Sequence, residues 1–378
     1  MKVAKILILG GGFAGLIAAE KLSRSLGSEH DITLVSRCRQ FTFYPALVRL
    51  AFGECEPDDI TFDLFEKLHR LDVRSVEGEC LQIDPCNQSA RITGNDFSGD
   101  IKYDFLIIAL GRRLATEKIQ GFFEHAHHML GIREALELGE EVRTFERGDI
   151  VVGLSPDAFL PIPVCEAAFA LARKFENEIE RKEVSVTVVF PQDIRQAFGG
   201  ARLALELTSS FAKHGIRVLT KFAVSEIKAD ELIGFGNKAI RYDLLMLVPP
   251  FRSHRAVDTL EATDDSGFLT VDKYMRVQGL KQVYAAGDAA AFQGPKLASL
   301  AVRQAEVAGA NVLSEIRGEI PSTIYRHEIA AIIDQGPESI YLNYGVWNNA
   351  LYQLNKGSLW GKVKRVHNKL WRVIHEGL

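Results

Sequence analysis

The 378-residue chain contains no apolar run approaching the roughly 18–20 residues that a membrane-spanning helix needs. A polytopic membrane protein is thereby excluded. Cysteine is scarce, and its five copies (Cys38, Cys55, Cys80, Cys86 and Cys165) are odd in number and scattered. That excludes a dense disulfide framework and points to a reducing compartment. The cysteines form no C-x-x-C pair, and the run His125, His127 and His128 has no second ligand group at zinc spacing. No metal site is expected. Charge of one sign is not in excess: a net charge of −4 leaves no nucleic-acid footprint. The N-terminus lacks the longer apolar segment and small-residue cleavage site of a signal peptide, so a cytoplasmic protein is expected. Low-complexity linkers and short-period repeats are missing too. What remains, at 47% hydrophobic and 25% charged residues, is a globular composition of two- or three-domain length.

The placement of glycine is more informative than its amount. An apolar run at 5–9 ends in Gly10-Gly11-Gly12-Phe13-Ala14-Gly15. Leu16, Ala19 and Leu22 then recur at helical spacing, and residues 31–35 read as a second buried strand. Strand, glycine turn, helix and strand in this order form the context that a dinucleotide fingerprint requires. Gly10 permits the tight turn, Gly12 lets the backbone approach a pyrophosphate, and Gly15 lets the helix pack on the strand. Phe13 and Ala14 stand at the helix N-terminus, which faces the anion. The acid expected at the end of the second strand is replaced by Ser36-Arg37. A serine still bonds a ribose, and Arg37 can reach the adenine side.

Further strands are expected at 105–110, ending at Gly111, and at 149–154, opening a second strand–loop–helix–strand unit. Its helix should cover 164–180 and its next strand 185–190. A helix at 202–214 and strands at 217–220 and 243–248 follow. A strand at 283–288 ends in Gly287-Asp288, and a small-residue helix spans 297–316. The second unit departs from a nucleotide site. After Gly153 there is no glycine until Gly199, and Pro156, Pro161 and Pro163 each lack a backbone donor. Asp157 adds charge that repels a pyrophosphate, and the strand ending at Phe190-Pro191 lacks a terminal acid. Nicotinamide nucleotide bound in the usual way is not expected.

The tail has its own character. Between residues 356 and 372 stand six basic residues and no acid, so the rest of the chain carries −10. Leu359, Val363, Val366, Leu370 and Ile374 fall on one helical face, with Trp360 and Trp371 beside them. Such a helix suits the surface of an anionic bilayer, or a partner subunit or dimer mate.

Residues 10–15, 103–111 and 286–288 resemble the two-dinucleotide-domain flavoprotein superfamily of disulfide reductases. Phe41-Thr42-Phe43-Tyr44-Pro45, Leu50-Ala51-Phe52-Gly53, Val248-Pro249-Pro250-Phe251 and Gly294-Pro295-Lys296 resemble its sulfide:quinone oxidoreductase branch, with type II NADH dehydrogenases as near relatives. The resemblance covers nearly the whole chain and implies bound FAD. Gly10, Gly12, Phe13, Ala14 and Gly15 would hold its pyrophosphate, with Ser36 and Arg37 at the adenosine end. Tyr44 and Pro45 would lie near the isoalloxazine, Ala109 and Gly111 beside the cofactor, and Gly287 and Asp288 at its ribityl or phosphate region. Lys296 would sit at the flavin, where the following helix aims its positive end. Family enzymes that oxidise sulfide use cysteines close to the flavin. The matching positions here are Leu130, Leu160 and Ala331, so the thiolate that sulfide chemistry needs is missing. Cys165, at a helix start, is the remaining candidate thiol, against the reading of a buried structural cysteine. Glu166 matches a glutamate on the quinone or proton path, against the reading of an ordinary helix-N-terminal acid.

The expected fold is α/β, with two Rossmann-like three-layer domains, the second inserted in the first, and a C-terminal amphipathic helical segment. The FAD domain is expected at 1–115 and 260–325, the degenerate second domain at 116–259, and the membrane- or partner-facing segment at 326–378. The leading expectation is an FAD-dependent oxidoreductase on the cytoplasmic membrane surface, passing electrons from an unidentified donor to a quinone, with Cys165, Glu166 and Lys296 as catalytic candidates. The alternatives are an NADH:quinone oxidoreductase and a flavin-binding structural or electron-relay subunit of a larger redox complex.

Overall fold

The computed structural model describes residues 3–95, 97–236, 238–347 and 351–377. In chain order, the elements that position the site are β1 (Lys5–Leu9), α1 (Phe13–Leu26), β2 (Asp31–Ser36), β3 (Arg74–Glu77), β4 (Phe105–Ile108), β5 (Gly148–Leu154), α2 (Pro161–Lys174), β6 (Val184–Val189), β7 (Ile216–Leu219), β8 (Leu244–Val248), β9 (Val283–Ala285), α3 (Ala298–Ile316), β10 (Glu328–Asp334), β11 (Ser339–Gly345), β12 (Tyr352–Gly357) and α4 (Ser358–Gly377).

A first parallel sheet has the order β9-β4-β1-β2-β3. Every residue of β4 is buried, as are four of the five in β1. Burial on both faces is why these strands read as continuous apolar runs rather than alternating ones. Helix α1 is built from small residues on its inner face, and it packs against α3, whose Ala301, Ala305 and Ala308 are buried. A second parallel sheet has the order β7-β6-β5-β8. The chain leaves and re-enters the first sheet through one antiparallel ribbon, in which Arg112 pairs with Ser253 and Leu114 with Phe251. The main hydrophobic core is contiguous across both sheets and the C-terminal region.

The expected helix at 164–180 is two helices, α2 and a short one at Glu176–Glu180. Phe175 separates them, turned inward to pack edge-on against Phe145 at 5.7 Å. The tail carries the expected C-terminal amphipathic helix, and ahead of it an antiparallel sheet, β10-β11-β12, that was not foreseen. Burial of Ile329 and Ile333 in β10, and of Ile340 and Leu342 in β11, buries one face of it. That alternation is the period-2 signal of a half-buried strand.

Helix α4 is fastened along its length. Trp360 stacks on Tyr341 at 4.2 Å, and Trp371 is only 8% exposed, seated among Phe13, Phe41 and Phe43 at 4.8–5.3 Å. His375 bonds the Glu20 carboxylate at 2.9 Å, and buried Lys67 approaches the same carboxylate at 3.3 Å. Burial pushes the Glu20 carboxyl up, but the His375 hydrogen bond and the neighbouring cations outweigh it and hold it below its usual value. The two tryptophans thus serve the protein interior and the outer sheet, not a bilayer. Leu359, Val363, Val366, Leu370, Val373 and Ile374 face outward, each at least 40% exposed.

Trp371→Ala should remove packing worth about 3–5 kcal/mol at that contact. The expected outcome is release of α4, read as faster tryptic cleavage after Lys369 and Arg372. Cleavage at the wild-type rate would mean that Trp371 is not what holds the helix.

Candidate functional site

The carboxyl ends of β1, β4 and β9 converge on one spot. Gly10 has φ +108°, and a Cβ there would stand 2.1 Å from the Ala109 carbonyl oxygen. A Cβ on Gly15 would stand 1.8 Å from the Gly10 carbonyl oxygen. Gly287 has φ +74°, with its missing Cβ 3.0 Å from that of Ala14. Gly10, Gly15 and Gly287 are therefore demanded by protein packing against protein. Gly12 and Gly111 differ, because a Cβ on either would meet nothing within 4 Å. These two border an open cradle. It faces the start of α1, where no side chain caps the orphan amides of the first turn, Phe13 and Ala14 included. Uncapped amides beside an open glycine surface fit a pyrophosphate.

Asp288 follows Gly287 in a single 3₁₀ turn. Its carboxylate is ion-paired with Arg112, whose guanidinium also lies 4.3 Å over the Phe251 ring. The Gly287 amide donates to Gln304 of α3 at 2.8 Å, tying the turn to that helix. Lys296 is buried. Its Nζ donates to the Ala290 carbonyl at 2.6 Å and stands 4.1 Å over the Phe268 ring. Burial pushes the Lys296 amine down to about 7; Asp264 opposes this and Arg112 adds to it. Tyr44 and Pro45 form a 3₁₀ turn, with Tyr44 half-exposed. The structure thus brings together Gly10, Gly12, Phe13, Ala14, Gly15, Ala109, Gly111, Gly287 and Asp288, with Lys296 near enough for its charge and that of Arg112 to act on each other. Ser36 lies at the end of β2, but its hydroxyl is engaged locally, donating to the Cys38 carbonyl at 2.8 Å. Arg37 is exposed next to it.

Cys165 and Glu166 belong to a second cluster on α2. Cys165 is fully buried, and burial together with the Glu166 charge pushes its thiol well above the usual value. A closed-off, protonated thiol is a core residue, and the expectation of a stabilised thiolate at the helix start does not describe it. The reason is depth: Cys165 is the fifth residue of α2, not its first. Glu166 is buried as well, and its Oε1 accepts from the Asp334 amide at 2.7 Å and from Lys364 Nζ. Burial raises the Glu166 carboxyl, and Lys364 only partly offsets it. In the sequence Lys364 is only one of six basic residues of the tail. It is in fact turned inward, its side chain 17% exposed. Its position one residue beyond outward-facing Val363 was the available signal. Arg112 was also missed, although it directly follows Gly111.

The loop before α2 is fastened down. Asp157 adopts φ +61° and pairs with Arg252 at 2.8 Å, while the Phe159 carbonyl accepts from the Lys296 amide at 2.8 Å. A Cβ on Gly153 would stand 2.1 Å from Val189 Cγ2. Helix α2 opens on Pro161, with Pro163 two residues on, so its first turn offers fewer donors than that of α1.

Gly12→Ala should leave the melting temperature of cofactor-free protein within about 1 °C, because its Cβ meets open space. It should still weaken cofactor retention at least tenfold. Gly15→Ala should destabilise the protein outright, by about 3 kcal/mol or more. Thermal melts with and without added FAD separate the two; equal loss of stability in both variants would show that Gly12 does not face the cradle.

Residues 4–305 match the family described as pyridine nucleotide-disulphide oxidoreductase. The chain is 24% identical over 332 residues to the external alternative NAD(P)H-ubiquinone oxidoreductase B1 of Solanum tuberosum, covering 78% of this chain and 56% of that one. It thus spans little more than half of that relative. It is 23% identical over 357 residues to the sulfide-quinone reductase of Aquifex aeolicus, covering 88% of this chain and 82% of that one. The X-ray structure of the sulfide:quinone oxidoreductase from Aquifex aeolicus superposes with a TM-score of 0.90 at 22% identity, covering 98% of this chain and 91% of that one. The chain belongs to the pyridine nucleotide-disulphide oxidoreductase family, and its cofactor is FAD.

Proposed function

We propose that this chain is a flavoprotein that works at a membrane surface and passes electrons through FAD to a quinone, from a donor other than sulfide. The observation that carries the reading is the buried Glu166–Lys364 pair. It joins α2 to α4, the helix whose other side presents an apolar face outward. Among the described residues no helix is long and apolar enough to cross a membrane. An amphipathic helix with Lys362 and Lys369 flanking its apolar face lies on the bilayer rather than through it. The names of the potato and Aquifex relatives, both quinone reductases, support the same reading. We assign residues 1–115 and 260–325 to the FAD domain, 116–259 to the degenerate second domain, and 326–378 to the membrane-facing segment.

Bound FAD supplies the electron-transfer chemistry. The chain supplies orientation and protons. Reducing a quinone consumes protons, and Glu166, its carboxyl raised by burial, holds one at Oε1 or Oε2 beside Lys364 Nζ. The pair can hand it inward from the membrane-facing side. On the donor side, Leu130, Leu160 and Ala331 carry no thiol, and buried Cys165 does not replace one. A nicotinamide nucleotide is the second reading, supported by the potato relative's name and opposed by the fastened, proline-rich loop before α2.

Anaerobic mixing of the purified protein with NADH, NADPH or sulfide, followed at the flavin band, tests the donor. None of the three is expected to bleach the flavin rapidly. Fast bleaching by a nicotinamide would establish the second reading, and fast bleaching by sulfide would overturn the first.

Lys364→Met tests the pair. The Glu166 carboxyl already titrates above its ordinary value, so its ionisation costs stability as pH rises. Without Lys364 the carboxyl moves higher still. The variant's melting temperature should therefore fall more steeply than wild type between pH 4 and pH 7, and its reduced flavin should be reoxidised by a short-chain quinone about 100-fold more slowly. Unchanged reoxidation would remove the pair from the proton path.

A further inference from the structure

We propose that Arg112 is a cofactor-positioning residue: it fixes Asp288 at the cradle and keeps a buried positive charge facing the bound FAD. The inference rests on the assignment of FAD to the first cradle. Arg112 is the first residue of the ribbon strand Arg112–Leu114, directly after the open Gly111, and its pairing with Ser253 anchors its backbone to the returning chain. The side chain thus starts from a fixed backbone position beside the cradle. Phe251 of the same ribbon lies under the guanidinium at 4.3 Å and holds its plane. One edge of the fork engages Asp288, and the residue is 17% exposed at the side chain. Its Nε is buried without a hydrogen-bond partner among the described residues.

A guanidinium engaged through Nη1, with its buried Nε–H left over, is costly unless an acceptor completes it. The open cradle beside Gly12 and Gly111 is where such an acceptor would come from. The charge balance points the same way. Arg112 and Lys296 are both buried here and act on each other, while Asp288 is the carboxylate that Arg112 engages. Burial lowers Arg112 to about 10, so it remains charged at neutral pH. The Arg112 charge, held beside the cradle, favours the more negative, reduced form of a bound cofactor.

The test uses holoprotein variants and two measurements, FAD retention on dialysis and the flavin midpoint potential. Arg112→Gln should weaken FAD retention at least tenfold and shift the midpoint potential downward. Asp288→Asn, which leaves Arg112 uncompensated, should shift it upward. A pair that merely braces the fold would not move the potential in opposite directions, so shifts of one sign, or none, would overturn the proposal. Arg112→Lys covers the case in which the glutamine variant does not fold. It keeps the charge and loses the fork, so the potential should stay near wild type while retention falls. A lysine variant that retains FAD as wild type does would overturn the positioning role. Wild-type protein that binds no FAD would instead refute the cofactor assignment on which the inference rests.

Discussion

The first cradle depends on backbone lying directly against backbone where β1, α1, β4 and β9 meet. At 2.1 Å and 1.8 Å, the spaces a Cβ would need at Gly10 and Gly15 are already taken by carbonyl oxygens. That contact sets how closely α1 approaches the sheet and where its uncapped first turn points. It also brings Ala109 and Gly287, far apart in the chain, to the same edge. Had any of these positions carried a side chain, the helix would stand away from the strands and its amides would face solvent instead of a cofactor. Gly12 and Gly111 keep the cradle open because they touch nothing.

Around this rigid centre the molecule holds buried charges in three places, one of them the Glu20, Lys67 and His375 cluster under the end of α4. Arg112, Asp288 and Lys296 stand beside the cradle, and Glu166 and Lys364 stand between α2 and α4. A buried charge is expensive unless it is paired, and the two groups other than the Glu20 cluster are those that adjoin the cradle and the proposed quinone path. Their characters differ. The first holds the lasting charge of Arg112 beside the cradle, where it would act on a bound cofactor. The second holds a carboxyl raised by burial next to an amine, suited to storing and moving a proton.

Helix α4 links the second group to the outside. Tyr341, Glu166, the Phe13–Phe41–Phe43 pocket and Glu20 all grip its inner side. Its outer apolar side is left uncovered. One helix thus carries both a residue of the proton-handling pair and the surface proposed for the membrane, and their spacing is set by the helical repeat.

The glycine fingerprint, the buried parallel strands and the Gly287-Asp288 turn were legible in the sequence because each depends on local chemistry: backbone freedom, a continuous apolar run, a strand end. The absence of thiols at 130, 160 and 331 was legible for the same reason. Other features were not. The sheet of β10, β11 and β12 was hidden by alternation too weak to compete with the strong helical pattern after it. Cys165 stood between a helix-start thiol and a buried structural cysteine because sequence does not report depth, and only packing on all sides closes the sulfur off. Lys364 gave no sign of its inward pairing because it stands among five other basic residues of the tail. Trp371 read as a membrane anchor because its aromatic partners come from the N-terminal part of the chain. Arg112 carries no signal until Asp288 and Phe251 are folded against it. Sequence by itself determined the class of fold and the cofactor cradle, since those follow from residue-by-residue backbone preferences and hydrophobic period. Tertiary structure alone decided which charges are buried and paired, because burial and pairing depend on segments remote in the chain coming within a few ångströms of each other.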